Sequence, residues 1–294
     1  MSETVHLAGT LQSLGRALAT SFKRPGPVAS LTPVSLVLPG VQLDAQHIAR
    51  YAAVCGFEPA SHAPLTYPQM LTFPLVMHYM TSSACPWPAM GTVHLANAIT
   101  QHAPLTAGDA VQVALQTGEL RAHEKGQVFT LALRILRERS GECVWQATQT
   151  LLRMGVHSPV GPSFDAELGA DLPLAQVAQL QAPADIGRRY APVSGDYNPI
   201  HLWPLTARLL GFRRAIAHGL WTQARALALL QPDGVLPQAS LQTVFKRPLL
   251  LPAQATLWQA PSGPDEQLFE VRDAAGQVPH LRALLTRNLH PVQP

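Results

Sequence analysis

The sequence predicts an α+β chain made of two repeats, each an antiparallel sheet curved around one apolar helix. Three observations carry this reading. "ARYAAVCGF" at 49–57 echoes "RRYAPVSGD" at 188–196, so Tyr51, Val54 and Gly56 fall opposite Tyr190, Val193 and Gly195 at a constant offset of 139, the mark of an internal repeat. Each half ends in segments rich in β-branched and apolar residues separated by turn signals. Each half also holds one helix-like segment that is apolar nearly all round, "PLVMHYMTSSA" and "HGLWTQARALALL", and such a helix needs burial on several sides.

Taken in order, residues 1–30 form an N-terminal segment with an acid at position 3 and no long apolar core, which argues against a secretory signal. The first repeat spans 31–154. From Pro59 to Gly108 it carries no Asp, Glu, Lys or Arg, but prolines at 64, 68, 74, 86 and 88 interrupt every 18-residue apolar window, so a buried region is expected rather than a membrane span. "TFPLVMHYM" (72–80) is placed opposite "AHGLWTQAR" (217–225), and "ITQHAPLTAGDAV" (99–111) opposite "TVFKRPLLLPAQA" (243–255). The strands "AVQVALQTGELRA", "QVFTLALRILRE" and "ECVWQATQTLLRM" follow, with HEKG and RSGE as turns. A Gly-, Pro- and Ser-rich linker is expected over 155–175. The second repeat, 176–294, offers "SLQTVFKRPLLLP", "ATLWQAP", "QLFEVRD" and "VPHLRALLTRN" as strands.

Composition narrows the class. Of 294 residues 47% are hydrophobic and 13% charged, against roughly 25% charged in an average soluble domain, so a disordered chain is excluded. The net charge of +3 comes from basic residues scattered singly, which excludes a nucleic-acid or membrane patch. Three cysteines, Cys55, Cys85 and Cys143, form no CxxC pair, so neither a disulfide framework nor a zinc site is expected. Free thiols in a reducing cytoplasm fit this count. The histidines show no HxH or HExxH pattern, so no metal is expected. No GxSxG elbow marks a covalent hydrolase.

One stretch concentrates chemistry in an otherwise weakly charged chain. "VSGDYNPIHLWP" (193–204) places Asp196 and His201 five residues apart around Asn198-Pro199, a turn-forming pair able to aim both side chains at one cavity. The longer segment "RRYAPVSGDYNPIHLWPLTARLLGFRRAIAHGLW" closely resembles the signature of the MaoC-like dehydratases, or (R)-specific enoyl-CoA hydratases. The first half resembles them more loosely through "VCGF", "LTYPQMLTFPLVM" and "GTVHLAN". The resemblance implies a double hotdog fold and reversible hydration of a trans-2-enoyl thioester to a (3R)-3-hydroxyacyl thioester. It implies Asp196 and His201 as the catalytic dyad around one water, and the Gly219 N–H as donor to the thioester carbonyl. His218 is expected as a structural member of the site, Asn198 as the builder of the turn, and Ser194 as a packing residue like its counterpart Cys55.

At the position of Asp196 the first half carries Phe57, and the placement above puts Pro74, which has no N–H, opposite Gly219. From Tyr51 to Pro74 is six residues shorter than from Tyr190 to Gly219. The expectation is a duplicated repeat whose site was lost and which became the wall of an acyl-chain tunnel, with Met70, Phe73, Met77 and Met80 as lining. Lys246 and Arg247, with Arg213 and Arg214, match by charge the phosphates of coenzyme A or a phosphopantetheine arm; ordinary surface charge explains them equally well. Trp203 stands where many relatives carry an acid after "IHL". Coenzyme A or phosphopantetheine enters only as part of the substrate, no other cofactor is called for, and the thioester partner is acyl-CoA or an acyl carrier protein. A monomer and a homodimer are both open. The alternatives are a non-catalytic acyl-thioester binding subunit, against which the intact dyad argues, and a hotdog thioesterase, which would lack the N-P-I-H cluster.

Overall fold

Alternating apolar positions in long β-branched segments make strands with one buried face, and the computed structural model shows where they pair. It describes residues 3–5, 15, 17, 19–23, 26–165, 168–169, 172–261, 263 and 265–288; parts of the expected N-terminal segment 1–30 and linker 155–175 lie outside them. In chain order the elements are β1 (Glu3–Thr4), β2 (Ser35–Gln42), α1 (Ala45–Cys55), α2 (Pro68–Thr81), β3 (Thr92–Gln101), β4 (Ala110–His123), β5 (Gly126–Arg137) and β6 (Cys143–Met154). They continue with β7 (Ala175–Ala182), α3 (Ile186–Ser194), α4 (Pro199–Leu202), α5 (Pro204–Leu209), α6 (Gly219–Leu230), β8 (Ala239–Phe245), β9 (Ala253–Gln259), β10 (Glu266–Asp273) and β11 (Pro279–Arg287). Among the described residues no helix is long and apolar enough to cross a membrane.

The chain divides into two compact units. The first comprises Met1–Gln42, Pro68–Asn97 and Asp109–Ala166. Its strands run in the order β1-β2-β4-β5-β6-β3, and the β4–β5–β6 meander is antiparallel with Leu115 opposite Leu133 and Leu133 opposite Ala147. Val111, Val113 and Leu115, with Leu131, Leu133 and Ile135, are fully buried on one face, where α2 packs on β2, β4 and β5.

The second unit comprises Leu43–Tyr67, Ala98–Gly108 and Glu167–Pro294. Its own strands run β8-β11-β10-β9-β7, with Phe269 opposite Ala283, Val271 opposite Leu257 and Leu180 opposite Ala255. All six are buried. In both repeats the first strand pairs with the third, β2 with β4 and β7 with β9, so the repeated order of elements is a repeated topology. These opening strands, β2 and β7, were not among the sequence expectations. "VFKRPLLLP" is strand only as far as Phe245.

Helix boundaries correct the placement of Pro74. It is the seventh residue of α2, which begins at Pro68, whereas Gly219 is the first residue of α6. Counterparts at a helix start are therefore Pro68 and Gly219. The segment between the two helices of each repeat is 56–67 in the first and 195–218 in the second, so the first repeat lacks twelve residues of covering chain rather than six. An interior proline imitates a helix start, and α2, apolar on nearly every side, offers no periodicity that would mark where it begins.

One buried ion cluster tests the strand pairing of the second unit. Glu270, 6% exposed, accepts from Arg272 Nε at 2.6 Å and from its cross-strand partner Arg282 Nη1 at 3.1 Å. Glu270→Ala removes two charge-assisted bonds and should cost about 2 kcal/mol. An unchanged urea midpoint would show the cluster to be surface decoration.

Candidate functional site

The turn after α3 is built from local rules. Gly195 ends α3 in the left-handed region at φ 75°, as Gly56 ends α1 at φ 80°, which is why both echo segments carry glycine there. Asp196 follows, its N–H donating to Ser194 Oγ at 3.2 Å while its Oδ1 accepts the Asn198 N–H at 3.0 Å. Asn198 caps the four-residue α4, its Oδ1 accepting the Ile200 N–H at 3.4 Å, and Pro199 takes the first helical position. The expected role of Asn198 as turn builder fits this bond. Ser194 does more than pack: its hydroxyl donates to the Tyr190 carbonyl at 3.0 Å and ties the Asp196 turn to α3.

His201 sits under this turn. Its Nδ1 lies 2.8 Å from the Ile216 carbonyl, an acceptor only, so Nδ1 carries the proton and Nε2 presents a lone pair. That Nε2 is 3.9 Å from Asp196 Oδ2, too far for a direct hydrogen bond and suited to a shared water. The Asp196 side chain is 31% exposed and that of His201 10%, so the carboxylate is the more solvent-accessible of the two and the imidazole is the more buried.

His218 joins from the other side. Its Nε2 lies 3.1 Å from the Asp196 main-chain carbonyl and 3.8 Å from Oδ2, and its ring stacks on His201 at 3.8 Å and 27°. Gly219 then opens α6, with an N–H that has no intrahelical acceptor. A Cβ added there would lie 3.1 Å from the Phe245 ring, so glycine fits the close packing of β8 on the helix start. Lys246 and Arg247 follow Phe245 and are exposed. Phe73, Met77 and Met80 lie on α2 in the first unit, Met80 buried and the other two half-buried.

Several positioning residues were missed in the sequence. Gly187 in α3 is the sharpest: a Cβ there would stand 1.9 Å from the His201 carbonyl oxygen and 2.8 Å from its carbon, so only glycine lets the turn lie against the helix. At the offset of 139 the first repeat has Ile48, a difference that was readable. Ile216 acts through its main chain and left no side-chain signal. It is fixed by a short antiparallel bridge to Leu250, flanked by Ala217 N–H to Leu249 O at 2.9 Å and Leu251 N–H to Ala215 O at 2.8 Å.

Burial keeps both imidazoles neutral. Desolvation pushes His201 below its ordinary 6.5, against the opposing pull of Asp196 and of the Ile216 bond. Burial first, then the neighbouring His201, pushes His218 down to about 3. Asp196, His201 and His218 also have ligand-type atoms within 4.8 Å of one another. With its Nε2 proton committed to a carbonyl, His218 offers no lone pair on that side, so the chemistry of the trio favours a water held by two acceptors over a three-ligand metal site.

Comparison with known proteins agrees with this chemistry. Residues 164–246 match the family model "MaoC like domain". The chain is 36% identical over 275 residues, 93% of its length and 96% of the relative's, to 3-hydroxyacyl-thioester dehydratase X of Mycobacterium tuberculosis. The crystal structure of HtdX from that organism superposes with a TM-score of 0.74 at 33% identity, over 86% of this chain and 100% of that one. A MaoC-like dehydratase from Phytophthora capsici gives 0.72 at 15% identity, over 91% and 98%. A Mycobacterium tuberculosis protein described as having a double hotdog fold gives 0.54 at 11%, over 85% and 94%. The fold is a double hotdog.

The histidine shifts set the sign of a pH effect. The unfolded chain protonates these imidazoles near 6.5 while the folded chain resists, so their contribution is full above about 6.5 and is lost as pH falls below it. Denaturation between pH 7.5 and 5 should show stability falling with pH, and His218→Gln should flatten that slope. An equally steep slope in the variant would mean that His218 is not held neutral.

Proposed function

We infer the reaction from lineage and geometry together: the chain belongs to the MaoC-like dehydratase family, and it catalyses reversible hydration and dehydration of an acyl thioester. The observation that carries the assignment to residues is the pairing of a lone pair on His201 Nε2, preset by the Ile216 carbonyl, with a carboxylate oxygen 3.9 Å away. A water between them is oriented by both acceptors.

In the hydration direction His201 Nε2 takes a proton from this water as its oxygen adds to C3 of the trans-2-enoyl thioester. The electron pair of the double bond moves through C2 onto the thioester oxygen. The N–H of Gly219 stabilises that oxygen, a contribution typically worth roughly 3 kcal/mol per donor. The proton then passes from the imidazolium by way of Asp196 to C2, on the face to which the hydroxyl was added, and gives the (3R)-3-hydroxyacyl thioester. Enzyme protonation is restored, and water is the only co-reactant. No electron changes hands, so the reaction as drawn calls for no redox cofactor, and the neutral imidazole supplies the base without a metal.

Burial serves this cycle directly. A base must be unprotonated at the working pH, and desolvation of His201 ensures it. The cost of forming the buried imidazolium is offset by the Asp196 carboxylate, which pulls the His201 pKa upward.

Hydration of trans-2-enoyl thioesters, followed by loss of the conjugated absorbance, tests the reading. Asp196→Asn and His201→Ala should each lower kcat by about 1000-fold with folding intact, each removing an acid–base group. Gly187→Ala, which touches no substrate, should lower kcat by about 100-fold by displacing His201. Full activity in His201→Ala would sink the dyad, and full activity in Gly187→Ala would show that the turn has room to adjust.

A further inference from the structure

The covering segment between His201 and Ile216 has an outer surface that the reaction does not use. Among the described residues, four of the ten exposed large hydrophobic side chains fall within eight positions here: Trp203, Leu205, Leu209 and Leu210, at 53%, 69%, 78% and 43% exposure. Leu205, Arg208 and Leu209 share one face of α5 by their spacing of three and four. Arg208, Arg213 and Arg214 are exposed around them. No Asp or Glu occurs from Tyr197 to Pro232, and among the described residues none of these three arginines joins an ion pair. The result is an apolar surface rimmed by cations without internal neutralisation.

Trp203 is fixed in advance. Arg188 lies over one face of its ring, 4.1 Å from the centroid, and donates to the Leu202 carbonyl at 3.0 Å. A half-exposed tryptophan held in one rotamer is the type of side chain that anchors protein interfaces, because little rotamer freedom remains to be lost on binding.

We propose that the Trp203–Arg214 surface docks an acidic acyl carrier protein, which presents the substrate as a thioester on its phosphopantetheine arm. This rests on the hydratase reading and names the form in which that site receives its substrate. The charge of the surface calls for a partner rich in carboxylates, and its apolar centre calls for one with an exposed apolar helix face. Its place in the chain supplies the rest. The segment is continuous with His201 at one end and with Ile216 and His218 at the other, so a partner seated on it stands beside the catalytic turn and needs only a flexible arm to reach it. A bilayer would not gain from that position, and a six-residue helix offers it little area to bury.

The test compares one acyl group, trans-2-octenoyl, on N-acetylcysteamine and on the carrier protein of a type II fatty-acid synthase. The wild type should show kcat/KM at least ~10-fold higher for the carrier-linked form, the scale of one interface anchor. Leu209→Asp and Arg208→Glu should raise KM for the carrier-linked substrate by ~10-fold, leaving its kcat and all hydration of the small thioester unchanged. Equal kcat/KM for the two forms, or no change in either variant, overturns the docking surface while leaving the hydratase intact. Failure of the wild type to hydrate the small thioester instead overturns the hydratase reading and the proposal with it. Two further results would assign the surface elsewhere and also overturn it: sedimentation with phosphatidylglycerol vesicles that Leu209→Asp abolishes, or a concentration-dependent dimer that the same variant dissociates.

Discussion

The site depends on one hydrogen bond, from His201 Nδ1–H to the main-chain carbonyl of Ile216 at 2.8 Å. An imidazole has two nitrogens and in its neutral form one proton, so placing that proton against an acceptor determines what the other nitrogen can do. Were Nδ1 free, the ring would divide its time between tautomers and the face toward Asp196 would be a donor for part of it. The constraint reaches outward in two directions. Ile216 must hold its carbonyl still, which the bridge to Leu250 achieves, and the backbone of His201 must lie closer to α3 than any side chain at position 187 would allow.

The first repeat contributes structure to the second unit although it carries no dyad of its own. α1, from the first repeat, packs on α3. His47 on α1 reaches the Val193 carbonyl with Nε2 at 3.0 Å and the Tyr67 hydroxyl with Nδ1 at 2.9 Å. Rings then follow one another from Tyr67 to Tyr51 at 5.4 Å, to Tyr190 at 6.3 Å, to His218 at 5.0 Å and to His201 at 3.8 Å. From α6, Trp221 donates to the Val54 carbonyl at 3.0 Å and Arg225 approaches the carbonyls of Cys55 and Gly56, so the open end of α1 is capped by side chains of the second repeat. The first repeat has Phe57 where the second has Asp196, yet the helix before it still has a surface to support.

What could be read from the sequence follows from which groups do the work. The meanders were legible because their alternation is carried by side chains, and the approach of Asp196 to His201 because a signature of side chains surrounds them. β2 and β7 were not, since both are half-exposed strands with mixed faces. The register of α2 was misplaced because a helix apolar on every side has no periodicity to locate its start. Ile216 escaped notice because only its carbonyl acts. Gly187 was accessible in principle: against Ile48 in an otherwise parallel segment, a glycine inside a helix has a cost of about 1 kcal/mol that calls for a reason, and the reason is the turn lying on it.

The stacked pair of histidines shows how a site with a single carboxylate can use a buried base. Each ring excludes water from one face of the other, and desolvation lowers both pKa values. Two cations about 4 Å apart would repel by about 4 kcal/mol at an effective dielectric constant of 20, so a proton on either ring disfavours one on the other. The asymmetry between the rings decides which one accepts it. His218 has its Nε2 proton committed to the Asp196 carbonyl, and its buried Nδ1 has no hydrogen-bond partner among the described residues; His201 has its lone pair turned toward a carboxylate oxygen. Protonation thus goes to His201 alone, next to the one charge that stabilises it, while His218 remains a neutral plate that holds the first ring in place.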